Sequence, residues 1–192
     1  MTLTIALNSS PPAATPSGLA ELVEYARAGD ANAMEPLLRA IEQRVFLFCY
    51  RIVANPASAE DAAQETLWRV CLHLSRFQAN TNFWAWVYRI ALRQCQTELR
   101  KRRFEPLPPE IRAPGSAAAS HERFDLVVKA LAGLTEKERA ALVLMDIEGY
   151  SSQEAARILG CLAITARTRA AAGRKKAREA LLPHFPELRE ER

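Results

Sequence analysis

The chain has no Cys-x-x-Cys pair, no glycine-rich phosphate loop and no alternating apolar-polar run of the kind that builds a half-buried strand. Each absence excludes a class. The four cysteines (Cys49, Cys71, Cys95 and Cys161) stand singly in apolar helical pattern, which suits buried thiols in a reducing compartment and argues against a disulfide framework. Cys71 and His73 lack the second ligand pair that a structural zinc site needs, so no metal or other cofactor is expected. The three histidines (His73, His121 and His184) lie far apart and follow no catalytic signature, and no paired carboxylates or nucleophile motif suggest an enzyme. No apolar run approaches the roughly 18 residues that cross a bilayer, and the N-terminal segment has no basic region of the secretory kind. A cytoplasmic protein without membrane insertion is expected.

What is present is helical. Half the residues are hydrophobic (49%), enough to bury a core or two in 192 residues. Residues 1–18, with Ser9, Ser10, Pro11, Pro12, Pro16 and Gly18, read as a flexible tail. From Leu19 to residue 104 the apolar positions recur at helical spacing, as in Leu37, Leu38, Ile41, Val45, Phe48 and Ile52. Breaks at Gly29-Asp30, at Asn55-Pro56 and over residues 78–82 divide this stretch into four helices. Residues 105–122 contain Pro106, Pro108, Pro109, Pro114 and Gly115 and read as a flexible linker. A second helical domain follows over residues 123–185, and residues 186–192 form a short tail. In it, Thr135 with Glu138 and Ser151 with Glu154 have the spacing of capping boxes, Gly160 ends a short helix, and Ile164 to Leu182 form one long basic helix. The fold class is therefore all-α, two small helical domains.

The net charge of +4 is modest, but the cations are clustered. Arg89, Arg93, Arg100, Lys101, Arg102 and Arg103 make one basic patch, and Arg167, Arg169, Arg174, Lys175, Lys176 and Arg178 a second. The second follows a helix and a glycine turn, the layout of a helix-turn-helix. Its leading turn carries Thr165, Arg167, Thr168 and Arg169, residue types that read base edges, while Arg174, Lys175 and Lys176 suit phosphates. The alternative is a solvated helix closing an ordinary bundle. In the fourth helix of the first domain, Phe83, Trp86, Val87 and Ile90 share a face and are expected in the core. Trp84 and Tyr88 fall on the adjoining face with partial exposure, where Trp84 serves either packing or base stacking, with Arg89, Arg93 and Arg100 on phosphates. Asp61, Gln64 and Glu65 lie on one face of the third helix. They either complement its dipole or present a surface to a basic partner.

In combination these segments resemble the extracytoplasmic-function group of the sigma-70 family, over nearly everything from Leu19 to Leu182. The segments that carry the likeness are Ala28-Gly29-Asp30, Ala59-Glu60-Asp61-Ala62-Ala63-Gln64-Glu65, Phe83-x-x-Trp86-Val87-Tyr88-Arg89-Ile90-Ala91, Leu134-Thr135-Glu136-Lys137-Glu138-Arg139, Glu148-Gly149-Tyr150-Ser151 and Ile158-Leu159-Gly160-Cys161. The resemblance implies a sigma factor that binds core RNA polymerase, recognises promoter DNA and promotes its melting, with an anti-sigma factor as a further partner. Asp61, Gln64 and Glu65 would face the polymerase clamp helices. The loop over residues 78–82 would capture a flipped base, with Asn80 the best-suited side chain. The chain departs from the family at Arg93 and Thr97, and again at Leu162, Ile164, Ala166, Ala170, Ala172 and Gly173. A glycine inside a helix and small alanines predict a recognition helix held less firmly, and hence weak or unusual upstream-element binding. The rival readings are a sigma-like adaptor that does not initiate transcription and a stand-alone helix-turn-helix regulator.

Overall fold

The computed structural model describes residues 17–79, 81–102 and 118–185, and every regular element among them is a helix. They form two compact units, one within Ala13–Pro108 and one within Pro109–Arg192.

The first unit contains α1 (Ser17–Arg27), α2 (Ala31–Val53), α3 (Pro56–His73), a 3-10 turn (Leu74–Arg76) and α4 (Phe83–Arg102). Local chemistry sets the boundaries. Gly29 takes φ 95° after α1, and the Asp30 carboxylate accepts the Asn32 N–H at 2.9 Å to start α2. Ala54, at φ 54°, ends α2 in the left-handed conformation. Asn55 then caps α3 by accepting the Ser58 N–H at 2.9 Å, with Pro56 in the first turn, where its missing N–H costs nothing. Because Ser17 and Gly18 already belong to α1, the helical part begins slightly earlier than the composition suggests.

The core of this unit follows from α2. Leu37, Ile41, Val45, Phe48 and Ile52 form one fully buried stripe. The inner face of α3 is built of small side chains (Ala59, Ala62, Ala63 and Thr66), which lets the two helices approach closely. Thr66 satisfies its buried hydroxyl by donating to the Ala62 carbonyl at 2.6 Å. Helix α4 packs against both α2 and α3, so two of its faces are covered instead of one. The thiols divide evenly: Cys49 and Cys95 are buried as expected, whereas Cys71 and Cys161 are half-buried. Burial pushes the Cys95 thiol well above its usual range, and the neighbouring Cys49 thiol adds to the shift.

The second unit contains α5 (Ala118–Ala132), α6 (Glu136–Leu142), a π-helical turn (Val143–Ile147), α7 (Ser152–Leu159) and α8 (Ala163–Leu181). Residues 103–117 of the proline-rich segment lie outside the described residues. Ala118 onward is helix, five residues before the expected domain start, because the run from Ala118 to Glu122 contains no breaker. Both capping boxes form: Thr135 and Glu138 exchange bonds at the start of α6, and Ser151 and Glu154 do so at α7. Gly160 closes α7 at φ 64°. Arg139 is buried at the α5–α6 turn. Its guanidinium donates to the carbonyls of Ala132 (2.8 Å) and Leu134 (3.1 Å), and burial lowers its pKa from the ordinary guanidinium value.

Helix α8 packs differently from the sequence expectation. Ala166, Ala170, Gly173, Ala177 and Leu181 form its buried line. A Cβ on Gly173 would lie 3.0 Å from Leu134 Cδ2 and 3.2 Å from the Glu138 carbonyl oxygen, so the glycine is where α8 comes closest to the start of α6. The small residues therefore shorten the helix-helix distance. Two ion pairs add to the seat: Arg174 grips Asp146 with both nitrogens, the shortest contact 2.7 Å, and Lys176 reaches Glu138 at 2.8 Å. The Lys176 ammonium is the first reason that the Glu138 carboxyl sits below its ordinary range, with Thr135 bonds contributing.

Gly173→Ala supplies the test of this packing. Helix propensity alone would stabilise it by about 1 kcal/mol. The clash with a backbone carbonyl costs about 1–3 kcal/mol and wins, so thermal unfolding of the variant should fall below wild type.

Candidate functional site

Three helix faces gather the chemistry. On α3, Ala59, Ala62, Ala63, Thr66 and Val70 turn inward, which leaves Asp61, Gln64 and Glu65 outward at i, i+3 and i+4. Asp61 and Gln64 are exposed. Glu65 is half-buried and already bonded to Arg69 at 2.7 Å. These side chains line an open groove of about 550 Å³ between α3 and α4, closed on the other side by Gln94, Thr97 and Lys101. Trp68 belongs to the same face and is 60% exposed, with Leu72 beyond it at 53%. Neither was singled out from sequence. The signal was there: Trp68 follows Asp61 by seven residues and Gln64 by four, so it must share their face. Trp68 and Leu72, four residues apart on one helix face, together expose an apolar patch, and such patches mark contact surfaces.

On α4 the structure corrects the assignment of the aromatics. Trp84 and Tyr88 are buried, at 2% and 0% exposure, while Trp86 is half-buried against Phe77 at a ring distance of 5.3 Å. The wheel allowed for one covered face, but α2 covers a second. Tyr88 stacks on Phe48 of α2 at 4.3 Å, and Arg44 of α2 lies 4.2 Å over the Trp84 ring while donating to the Tyr88 hydroxyl at 2.7 Å. Neither ring is placed to stack on a base. Arg89, Arg93 and Arg100 are exposed along one outward line at i, i+4 and i+11, as the pattern requires. Lys101 is spent on Glu98 at 2.6 Å. Of the preceding loop, Asn80 lies outside the described residues. Its neighbour Asn82 starts α4 by accepting the Ala85 N–H at 2.9 Å.

On α8 the ion pairs sort the cations. Arg174 and Lys176 are held by carboxylates of the unit itself, so Arg174 is not the open phosphate contact expected of it. Among the described residues, Arg167, Arg169 and Lys175 have no ion-pair partner; Arg167 and Lys175 are exposed and Arg169 is half-buried. Thr165 is half-buried in the first turn, and Thr168 is exposed with its hydroxyl donated to the Ile164 carbonyl at 2.9 Å. Leu162 occupies the N-cap and has no side-chain acceptor to offer, so the first N–H groups of α8 remain open to an anion. The half with α7, the Gly160 turn and α8 has the layout of a helix-turn-helix. Among the described residues there is no cluster of side chains suited to a metal ion, and no helix is long and apolar enough to cross a membrane.

Comparison with known proteins agrees in both units. Residues 37–105 match the family model for sigma-70 region 2, and residues 124–176 that for sigma-70 region 4. The chain is 35% identical over 173 residues to the ECF RNA polymerase sigma factor SigE of Mycolicibacterium smegmatis, a match covering 83% of this chain and 66% of that relative. It is 32% identical to the ECF RNA polymerase sigma factor EcfG of Rhodopseudomonas palustris, covering 77% of this chain and 80% of the relative. Among solved structures, the sigma factor RpoE of Bartonella quintana, in complex with the anti-sigma factor NepR, superposes with a TM-score of 0.67 at 25% identity, covering 77% of this chain and 95% of that one. With both sigma-70 regions matched on the two helical units described above, the chain belongs to the extracytoplasmic-function group of the sigma-70 family of RNA polymerase sigma factors.

Proposed function

We propose that this sigma factor docks on core RNA polymerase through the outward face of α3, with Asp61, Gln64 and Glu65 as its polar part and Trp68 as its anchor. The exposed Trp68 in a polar groove beside Asp61 and Gln64 is the observation that carries the reading. An isolated acidic turn is explained by the helix dipole, whereas the exposed patch of Trp68 and Leu72 beside it suits a surface that a partner covers. The basic line Arg89, Arg93 and Arg100 of α4 holds the phosphates of the downstream promoter element, and Asn80 takes a base in the loop before it. Arg167, Arg169, Thr165 and Thr168 of α8 meet the upstream element, with Lys175 on its backbone. The chain acts by binding, not by catalysis, and works in the cytoplasm, where polymerase and promoter are. Since the Bartonella relative is seen with an anti-sigma factor, a protein of that kind is expected to hold this chain as well.

Purified chain and bacterial core RNA polymerase on a genomic fragment library, with transcript starts mapped by sequencing, should yield discrete chain-dependent starts that share two upstream motifs. Core binding without such starts would favour an adaptor. No binding to core would overturn the assignment. Trp68→Ala should weaken core binding by at least about 2 kcal/mol, roughly thirtyfold, with the fold intact, as measured by competition with labelled wild type. Trp84→Ala, by contrast, should lose about 3 kcal/mol of folding stability, because it empties a packed site. Arg93→Ala and Arg100→Ala should each lower promoter affinity of the holoenzyme and reduce the slope of log K against log salt by about 1, whatever the downstream sequence.

A further inference from the structure

We infer that Leu162 and Ile164, with the methyl group of Thr168, form an apolar reading edge that selects thymine in the upstream promoter element by contact with its 5-methyl group. The inference rests on the assignment of α8 to that element.

Leu162 is 72% exposed and Ile164 60%, and they stand two residues apart at the entry to α8. A unit of this size has every reason to bury such side chains, and the same helix turns mere alanines inward. The outward line of α8 runs Ile164, Thr168, Ala171 and Lys175, opposite the buried line of Ala166, Ala170, Gly173 and Ala177. Thr168 gives its hydroxyl hydrogen to the Ile164 carbonyl, so it has no donor left for a phosphate or a base acceptor, and its methyl group is what remains. Ala171 is also exposed and adds only a methyl. The leading half of the outward face is thus apolar and low, with no long side chain to hold the helix away from a groove floor.

The occupant follows from the charges beside this edge. Arg167 and Lys175 are exposed and, among the described residues, without an ion-pair partner, and the first N–H groups of the helix are uncapped. An apolar strip flanked by cations and open N–H groups suits a polyanion that offers apolar groups at its centre. Duplex DNA has one such group in the major groove, the thymine methyl. Guanine and adenine present N7, O6 and N6 there, which Ile164 and Leu162 would leave unpaired, so the same contact rejects them.

The test uses holoenzyme made from the full chain and core polymerase on a promoter found by start mapping. Each thymine of the upstream element is replaced singly by 2′-deoxyuridine, which removes the methyl group and nothing else. Promoter affinity is then compared for wild type, Ile164→Ala and Leu162→Ala. Both positions are exposed, and a thermal melt checks that the fold is kept. Wild type should lose roughly threefold to fivefold at one or two thymines, the effect of one buried methyl. Ile164→Ala or Leu162→Ala should show a similar loss on the thymine template and little further loss on deoxyuridine, the non-additive signature of a direct contact. Indifference of wild type to deoxyuridine at every position would overturn the inference. So would equal deoxyuridine losses in wild type and both variants, or variants that weaken only the hold of an anti-sigma protein, which would assign the pair to a protein contact. A holoenzyme that yields no discrete starts overturns the promoter-reading assignment itself, a result distinct from all of these.

Discussion

Arg44 lying over Trp84 and bonded to Tyr88, with Phe48 stacked beneath, fixes the rotation of α4 about its own axis. Once those two rings face α2, the helical repeat leaves no choice for Arg89, Arg93 and Arg100, which emerge on the opposite side. The other covered side of α4, through Phe83 against Phe77, meets the 3-10 turn that continues α3. Trp84 and Tyr88 therefore act as the bearing on which the basic stripe is set. A guanidinium that stacks on one ring and hydrogen-bonds the next is suited to this, since it tolerates half-burial and constrains two side chains at once.

In the second unit the comparable constraint is proximity. Alanines and Gly173 on the inner line of α8 bury little apolar area each, so the helix depends on close approach to α6 and on the pairs Arg174–Asp146 and Lys176–Glu138. These pairs are solvent-screened and contribute modestly to stability. Their larger effect is positional: they remove two cations from the outward face and leave Arg167 and Lys175 to define it.

The helix plan was legible because its signals are local. Asp30, Asn55, the two capping boxes and Gly160 act within three or four residues of themselves, and each was found where the chain placed it. The misreadings of side-chain contact are non-local. Burial of Trp84 and Tyr88 depends on a helix some 40 residues earlier, the partner in their bond being Arg44. The Arg174 and Lys176 pairs span 28 and 38 residues, distances over which a pattern of charges says nothing about contact. Gly173 looked like a weakness because propensity sees one helix, whereas close approach needs two. Trp68 was missed although its face was readable, because an apolar residue in a helical pattern reads as core unless a covering helix is known to be absent. Leu162 and Ile164 were visible as departures from the family, but their exposure was not.

The signs of the faces also bear on how partners are kept apart. Around the exposed Glu60 and Asp61 the α3 surface is acidic and unfavourable to phosphates, while the α4 and α8 faces carry cations that a basic protein surface would avoid. On the proposed assignments, each face rejects the other's partner before any contact is optimised. A nearly balanced chain with a net charge of +4 achieves this by segregation, so bulk charge gives no warning of it. Apolar groups at the centre of each face, Trp68 on one and Leu162 with Ile164 on another, then add short-range discrimination that salt does not screen. Charge selects the class of partner, and the exposed hydrophobic side chains select within it.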